Sequence, residues 1–252
     1  MEPWALAVLV GVAFVAALIG VVTGGNSLLV VPVMLSLGME PRRAVATNMF
    51  AVTFLALSGG VRFARSPVRA RWDVIVPLGV LTLATSWWGA HLVSSLPERS
   101  VRGVVAGSMA AMIVFFVAHP RLGEAAARTV SRARFVVGIA LGAVLGVYGG
   151  LFSGGYTTLL TFTCVALCGV SLLEAVGLTK TVNFLSSAIA SVEFARLGLI
   201  EYRVALPMAA AMTAGAWLGA AAATRWQRIV RPVFLAGVAL LALKLLVDAV
   251  RG

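Results

Sequence analysis

The chain has 252 residues, of which 61% are hydrophobic and 12% charged, and its mean hydropathy is +1.02. A water-soluble domain carries about twice that share of charged residues, which excludes a soluble enzyme or binding module. The net charge of +11 resides mostly in arginines beside the ends of apolar runs, with no basic stripe interleaved with stacking aromatics, so it speaks for membrane sidedness and against nucleic acid as a partner.

The opening Met1-Glu2-Pro3-Trp4 lacks the positive region of a signal peptide, so the apolar segment behind it is expected to be retained as structure. That segment covers about residues 4–22, and a second apolar stretch follows over 26–38. One straight helix through both would be about 52 Å long, against about 30 Å for a bilayer core. The chain is therefore expected to break between them, at Gly24-Gly25. Further segments are expected at about 44–61, 73–93 and 101–119. Thr47 and Asn48 open the third. His91 lies near the end of the fourth, after Trp87, Trp88 and Gly89, and reads as an interfacial histidine beside an aromatic belt rather than a proton relay. His119 then begins a basic loop carrying Arg121, Arg128, Arg132 and Arg134. Beyond it, segments are expected at about 135–150, 156–169, 175–195, 203–223 and 233–250, with a second break at Gly154-Gly155.

The two halves resemble each other. Gly20-Val-Val-Thr-Gly-Gly25 matches Gly150-Leu-Phe-Ser-Gly-Gly155 at an offset of 130, and Phe63-Ala64-Arg65 matches Phe194-Ala195-Arg196 at 131. Pro77, Trp87, Gly89 and Gly107 recur as Pro207, Trp217, Gly219 and Gly237. Matching Pro, Trp and Gly in fixed order point to duplication. The expected organisation is a first repeat over 1–119, a basic cytoplasmic linker over 120–134 and a second repeat over 135–252, each repeat holding five apolar segments. The expected fold is all-α: a polytopic membrane protein of eight to ten spanning or half-spanning helices in two homologous repeats. An odd number of crossings per repeat inverts the second relative to the first, whereas four crossings per repeat give the same arginine excess, so charge does not choose between them. Loops 62–71, 120–134 and 225–231 then share one side and hold eleven arginines, which makes that side cytoplasmic.

Short, glycine-interrupted segments at corresponding places in two halves point to a solute site, because broken helix ends leave backbone groups that hydrocarbon cannot satisfy. The candidates there are Thr23, Gly24, Gly25 and Asn26, with Ser27 behind them, and Ser153, Gly154, Gly155 and Tyr156, with Thr157. Close helix packing is the competing role for such glycines. A second set lies on the third segments: Thr47 and Asn48 in the first half, and Thr179, Lys180 and Asn183 in the second, the last three sharing a helical face. A lysine ammonium in a wet cavity attracts an anion, and hydroxyl and amide groups replace its water. The alternative for Lys180, a turn or two past Glu174, is to snorkel to the headgroups. Glu193 and Arg196, three apart, read as a solvated ion pair at the interface rather than a gate or proton-coupling pair. Cys164 and Cys168 read as small packing residues. No His-Glu-x-x-His, paired intramembrane Asp or phosphate-binding glycine motif occurs, and neither histidine is placed to serve Ser153, so no catalytic residue, metal ligand or cofactor is expected.

These residues resemble the sulfite exporter TauE/SafE family of membrane proteins. The likeness lies in Thr23-Gly-Gly-Asn-Ser-Leu-Leu-Val-Val-Pro32, in Ala44-Val-Ala-Thr47-Asn48, and in their second-half counterparts Phe152-Ser-Gly-Gly155 and Thr179-Lys180-Thr-Val-Asn183. It covers about residues 10–250. The first turn is shorter in glycine than is usual in the family, and Phe162 stands where the second half would repeat Pro32. The resemblance implies a multi-pass helical permease of the bacterial inner membrane, with sulfur-containing anions such as sulfite or organosulfonates as solutes. The expected partners are a small anionic solute and membrane lipid, with homo-oligomerisation left open. Transport by one half rocking against the other is the leading hypothesis. A passive anion channel and a non-transporting membrane accessory protein are its alternatives.

Overall fold

The computed structural model describes residues 2–65, 70–118 and 129–220, with 238 and 240, and the side chains of all of these but 21–23, 63 and 64. Among them every regular element is helical. Eight helices are described from end to end: α1 (Pro3–Thr23), α2 (Ser27–Ser36), α3 (Pro41–Ala64), α4 (Trp72–Ser95), α5 (Glu98–Ala118), α6 (Arg132–Leu151), α7 (Tyr156–Leu167) and α8 (Leu172–Arg196). A ninth, α9, is described over residues 202–220. Each falls on an expected segment. The tenth segment, apart from 238 and 240, and linker residues 120–128 lie outside the described residues.

Helices α1, α3, α4, α5 and α6 are long and apolar enough to cross a bilayer. Helix α8 is as long but carries Glu174, Lys180, Glu193 and Arg196. It packs against both α3 and α4, and enclosure by protein is what admits polar groups at such depth. Its start is held by a capping box between Ser171 and Glu174.

Both expected breaks are present. Helix α1 ends where Gly24 turns left-handed at φ 78°, its N–H donating to Gly20 O at 2.7 Å. Helix α7 starts from Gly155, at φ 83°. The helices that follow the breaks, α2 with 10 residues and α7 with 12, are too short to cross a bilayer.

Glycines set the tightest contacts. Helix α6 carries Gly138, Gly142, Gly146 and Gly150 on one stripe at a spacing of four, the small-residue pattern that lets membrane helices touch backbone to backbone. A Cβ on Gly150 would lie 2.0 Å from Ser86 O, and one on Gly89 would lie 2.0 Å from Val147 O, so α4 and α6 tolerate no side chain there. The contact recurs 130 residues on: a Cβ on Gly219 of α9 would lie 2.2 Å from Leu18 O of α1.

Residue pairings give the helix directions. Leu78, Thr85 and Ser86 meet Gly142, Gly146 and Gly150 in rising order, so α4 and α6 run parallel. Ser86 meets Ser186, and His91 meets Glu193, so α4 and α8 run parallel as well. Helix α6 therefore points the same way as α8, and the short α7 between them brings the chain back. In the first half, Ser58 and Arg62 of α3 meet Thr213 and Trp217 of α9, and Phe14 and Leu18 of α1 meet Gly215 and Gly219 of α9. Helices α1, α3 and α9 are thus parallel, and α2 returns the chain. Helix α3 is antiparallel to α8, with Thr53 at Ser191 and Thr47 at the Glu201 N–H. Each second-half helix so oriented runs opposite to its first-half counterpart.

The halves also exchange helices. Helix α4 of the first half lies on α6 and α8, and α9 of the second half lies on α1 and α3. The two sequence halves are therefore interleaved rather than packed as separate bundles. Backbones are in contact at Gly89 and Gly150, so α4 packs directly on α6, while α9 packs on α1 at Gly215 and Gly219.

Candidate functional site

The two breaks meet. Ser27 Oγ and Ser153 Oγ are 2.8 Å apart, and Asn48 Nδ2 donates to Ser27 Oγ at 2.9 Å. From the second half, Thr157 Oγ1 donates to Gly24 O at 3.0 Å. That carbonyl belongs to the left-handed residue ending α1, so a side chain of the opposite break satisfies it. Tyr148 OH donates to Gly154 O. The last turn of α6 lies beside Ser86, near the middle of the 24-residue α4, so this junction sits at mid-depth.

A string of hydroxyl groups leads away from it. Thr161 Oγ1 donates to Thr157 O at 2.7 Å and lies 3.1 Å from Thr179 Oγ1. Thr179 is followed by Lys180, only 3% exposed. Lys180 makes no hydrogen bond or ion pair among the described residues. The position is interior, which removes the snorkelling alternative. Asn183, one turn on, is buried with Oδ1 unpartnered, as is Asn48 Oδ1. The hydroxyl groups of Tyr156 and Thr82 are also buried without a hydrogen-bond partner. Buried polar groups left unpaired in a membrane interior are costly, which makes these residues candidates for contact with a solute.

The predicted residues are not all at the junction. Gly24, Asn48, Ser153 and Gly154 are there, and Thr179 is tied to it through Thr161. Gly25 O accepts from Leu28 N at 2.9 Å and starts α2. Asn26 points the other way, its Nδ2 3.7 Å from Met212 Sδ. Thr47 accepts from the Glu201 N–H at 3.1 Å, in the turn ahead of α9. Gly155 lies under Met112 of α5. The Thr23 side chain lies outside the described residues.

Two groups of residues escaped the sequence reading. Thr161 is four beyond Thr157, and Ser86 is four beyond Thr82. Polar residues repeating at helical spacing in an apolar run were the available signal. Ser86 Oγ bonds Gly146 O and Ser186 Oγ, both at 2.7 Å, and ties α4 to α6 and α8. Glu193 requires a correction. It is not solvated but 4% exposed. Its carboxylate accepts from Trp87 Nε1 at 3.0 Å, meets His91 Nδ1 at 3.0 Å and reaches Arg196 at 3.4 Å. Glu193 lies three residues from Arg196, which suggested a surface pair, whereas α4 packing on α8 covers it. His91 keeps its interfacial place, half exposed and stacked on Trp87.

Arrangement and composition are those of a membrane transporter, and comparison with known proteins agrees. The family described as sulfite exporter TauE/SafE matches residues 9–245. The chain belongs to that family. A "Probable membrane transporter protein" of Haemophilus influenzae is 29% identical to this TauE/SafE chain over 232 residues, covering 90% of the chain and 89% of the relative. "Probable membrane transporter protein ORF9" of a Sinorhizobium species is 27% identical over 245 residues, covering 96% and 93%. "Probable membrane transporter protein YfcA" of Escherichia coli K12 is 27% identical over 254 residues, covering 99% and 92%. No solved structure matches. This TauE/SafE chain is a multi-pass membrane protein of a transporter family.

Proposed function

We propose that the chain is a secondary permease of the bacterial inner membrane that moves a small anion, a sulfur-containing oxyanion or organosulfonate such as sulfite. The observation that carries this reading is Lys180, a buried ammonium with no partner among the described residues, one turn from Asn183 and joined through Thr179 to the helix breaks. A lone buried cation is unfavourable until an anion neutralises it. The hydroxyl groups of Tyr156 and Thr82 offer donors of the kind that replace an oxyanion's water.

The closed junction supports alternating access over an open channel. Ser27 and Ser153 are in contact, and a Cβ on Gly24 would lie 2.3 Å from Thr157 Oγ1, so a solute enters only when the breaks part. The moving bodies are α4 with α6, α7 and α8 on one side, and α1, α3 and α9 on the other. With the arginine-rich loops cytoplasmic, the start of α8 and Lys180 lie toward the cytoplasm from the junction.

Flux of sulfite, sulfonates, cations and neutral solutes into proteoliposomes tests this. Sulfite or sulfonate flux that accelerates with counter-anion is expected. Lys180→Met is expected to lower that flux about tenfold or more, the equivalent of about 1.4 kcal/mol. The same change is expected to leave thermal stability equal or higher, because it removes an uncompensated buried charge. Cation or neutral-solute flux without anion flux would overturn the reading, as would full flux by the Met variant.

A further inference from the structure

We propose that the groove between α3 and α9 is a binding site for an anionic phospholipid, with one acyl chain in the groove and its phosphodiester on Arg62 and Arg65. The groove holds about 650 Å³ and is lined by Phe54 of α3 and by Leu206, Ala209, Ala210, Thr213, Trp217 and neighbours on α9. Phe54, Leu206, Trp217 and Leu218 are large apolar side chains left substantially exposed. Thr213 is withdrawn from use, since its hydroxyl donates to Ala209 O at 2.7 Å. The interior therefore offers hydrocarbon contact and little else.

One end of the groove is different. The Arg62 guanidinium lies 5.1 Å from the Trp217 ring centroid, and that of Arg65 lies 5.9 Å from it. No carboxylate pairs with either arginine among the described residues. Two cations gathered on one indole hold like charges together, an arrangement that an anion between them relieves. Arg62 closes the apolar span of α3, so the pair stands at headgroup level. From Leu206 to Leu218 the helix rises about 18 Å, close to the about 15 Å depth of one leaflet. Charge at the mouth and apolar length behind it match a lipid and no soluble anion. The equivalent place in the other half reverses the chemistry: Glu193, at an offset of 131 from Arg62, accepts from Trp87, the counterpart of Trp217. There Arg196, the counterpart of Arg65, is paired with the Glu193 carboxylate, so that end lacks two carboxylate-free cations gathered on one indole.

The test is thermal unfolding of the purified chain in nanodiscs of phosphatidylcholine alone and of phosphatidylcholine mixed with phosphatidylglycerol of the same acyl chains. The anionic lipid is expected to raise the midpoint by about 4 °C or more. Arg62→Gln combined with Arg65→Gln is expected to abolish the difference. Ala210→Trp, which fills the groove and leaves both arginines, is expected to abolish it too. Inorganic phosphate added to phosphatidylcholine discs is expected to do nothing. Equal midpoints in the two lipids would overturn the proposal, as would a difference that survives both variants, or one that phosphate alone reproduces. A shift that follows protein concentration rather than lipid would assign the groove to a second copy of the chain, and overturn it equally. None of these readouts depends on which solute the protein moves.

Discussion

The two glycine breaks carry nearly the same signature and use it differently. In the first, Gly24 ends α1 in a left-handed turn, and Gly25 and Asn26 lead into α2. In the second, α6 has already ended at Leu151, Phe152 is extended, and Gly155 takes the left-handed turn that starts α7. The unusual φ falls on the first glycine of one pair and the second of the other. Their surroundings differ as well. A Cβ on Gly24 would meet Thr157 Oγ1 at 2.3 Å and the backbone N of Thr158 at 3.0 Å, whereas the three nearest atoms to one on Gly155 all belong to the Met112 side chain. The first break is pressed against the opposite half, and the second against a pliable side chain. Duplicated sequence thus conserves the break and leaves its local geometry to whatever packs on it.

Substitution at these glycines is the strongest way to break that contrast. Gly24→Ala combines left-handed strain with overpacking against backbone, and should destabilise by about 3 kcal/mol. Gly155→Ala carries the strain while Met112 yields, and should destabilise by about 1–2 kcal/mol. Equilibrium unfolding in mixed micelles would measure both, and equal losses would dissolve the distinction. Next in size, Thr157→Val keeps the shape but leaves the half-buried Gly24 O without its donor, which should remove about 1–2 kcal/mol. Because that bond joins the two breaks, the loss should vanish in a Gly24→Ala background, where the contact is already disrupted. Smallest is Ser153→Ala. It removes one hydroxyl pair and should weaken the closed junction by about 1 kcal/mol. Its signature is faster labelling of a cysteine placed at Leu28, which lies beside Gly154 and takes no part in the hydroxyl pair, with Thr53→Ala as the control that leaves the junction intact.

Much of the fold was legible before any coordinates. Long apolar runs forced membrane helices, and two glycine pairs in runs too long for one bilayer forced the breaks. The site was legible in part. Lys180, Asn48 and Ser153 drew attention because polar groups stand out in an apolar chain, and the glycines because they interrupt it. Thr161 and Ser86 were not, because hydroxyl groups that bond within a helix are common in membranes and carry no signal of their own. Glu193 was placed at the surface because its nearest neighbour in sequence was a charge three residues away. The groove beside Trp217 was invisible, since its wall is built from helices of different halves.

The sequence by itself determined that this chain is a polytopic helical membrane protein with interrupted segments 130 residues apart, because hydrocarbon leaves helices as the economical way to satisfy an apolar backbone. It also determined family membership. Only the tertiary structure decided that α4 and α9 cross over to the opposite half, that the breaks close on each other through Ser27, Ser153 and Thr157, and that Lys180 is buried without a partner among the described residues. Those outcomes depend on which helix faces meet. Contacts between distant segments are chosen by steric fit at glycines such as Gly89 and Gly150, and composition and spacing carry no record of that fit.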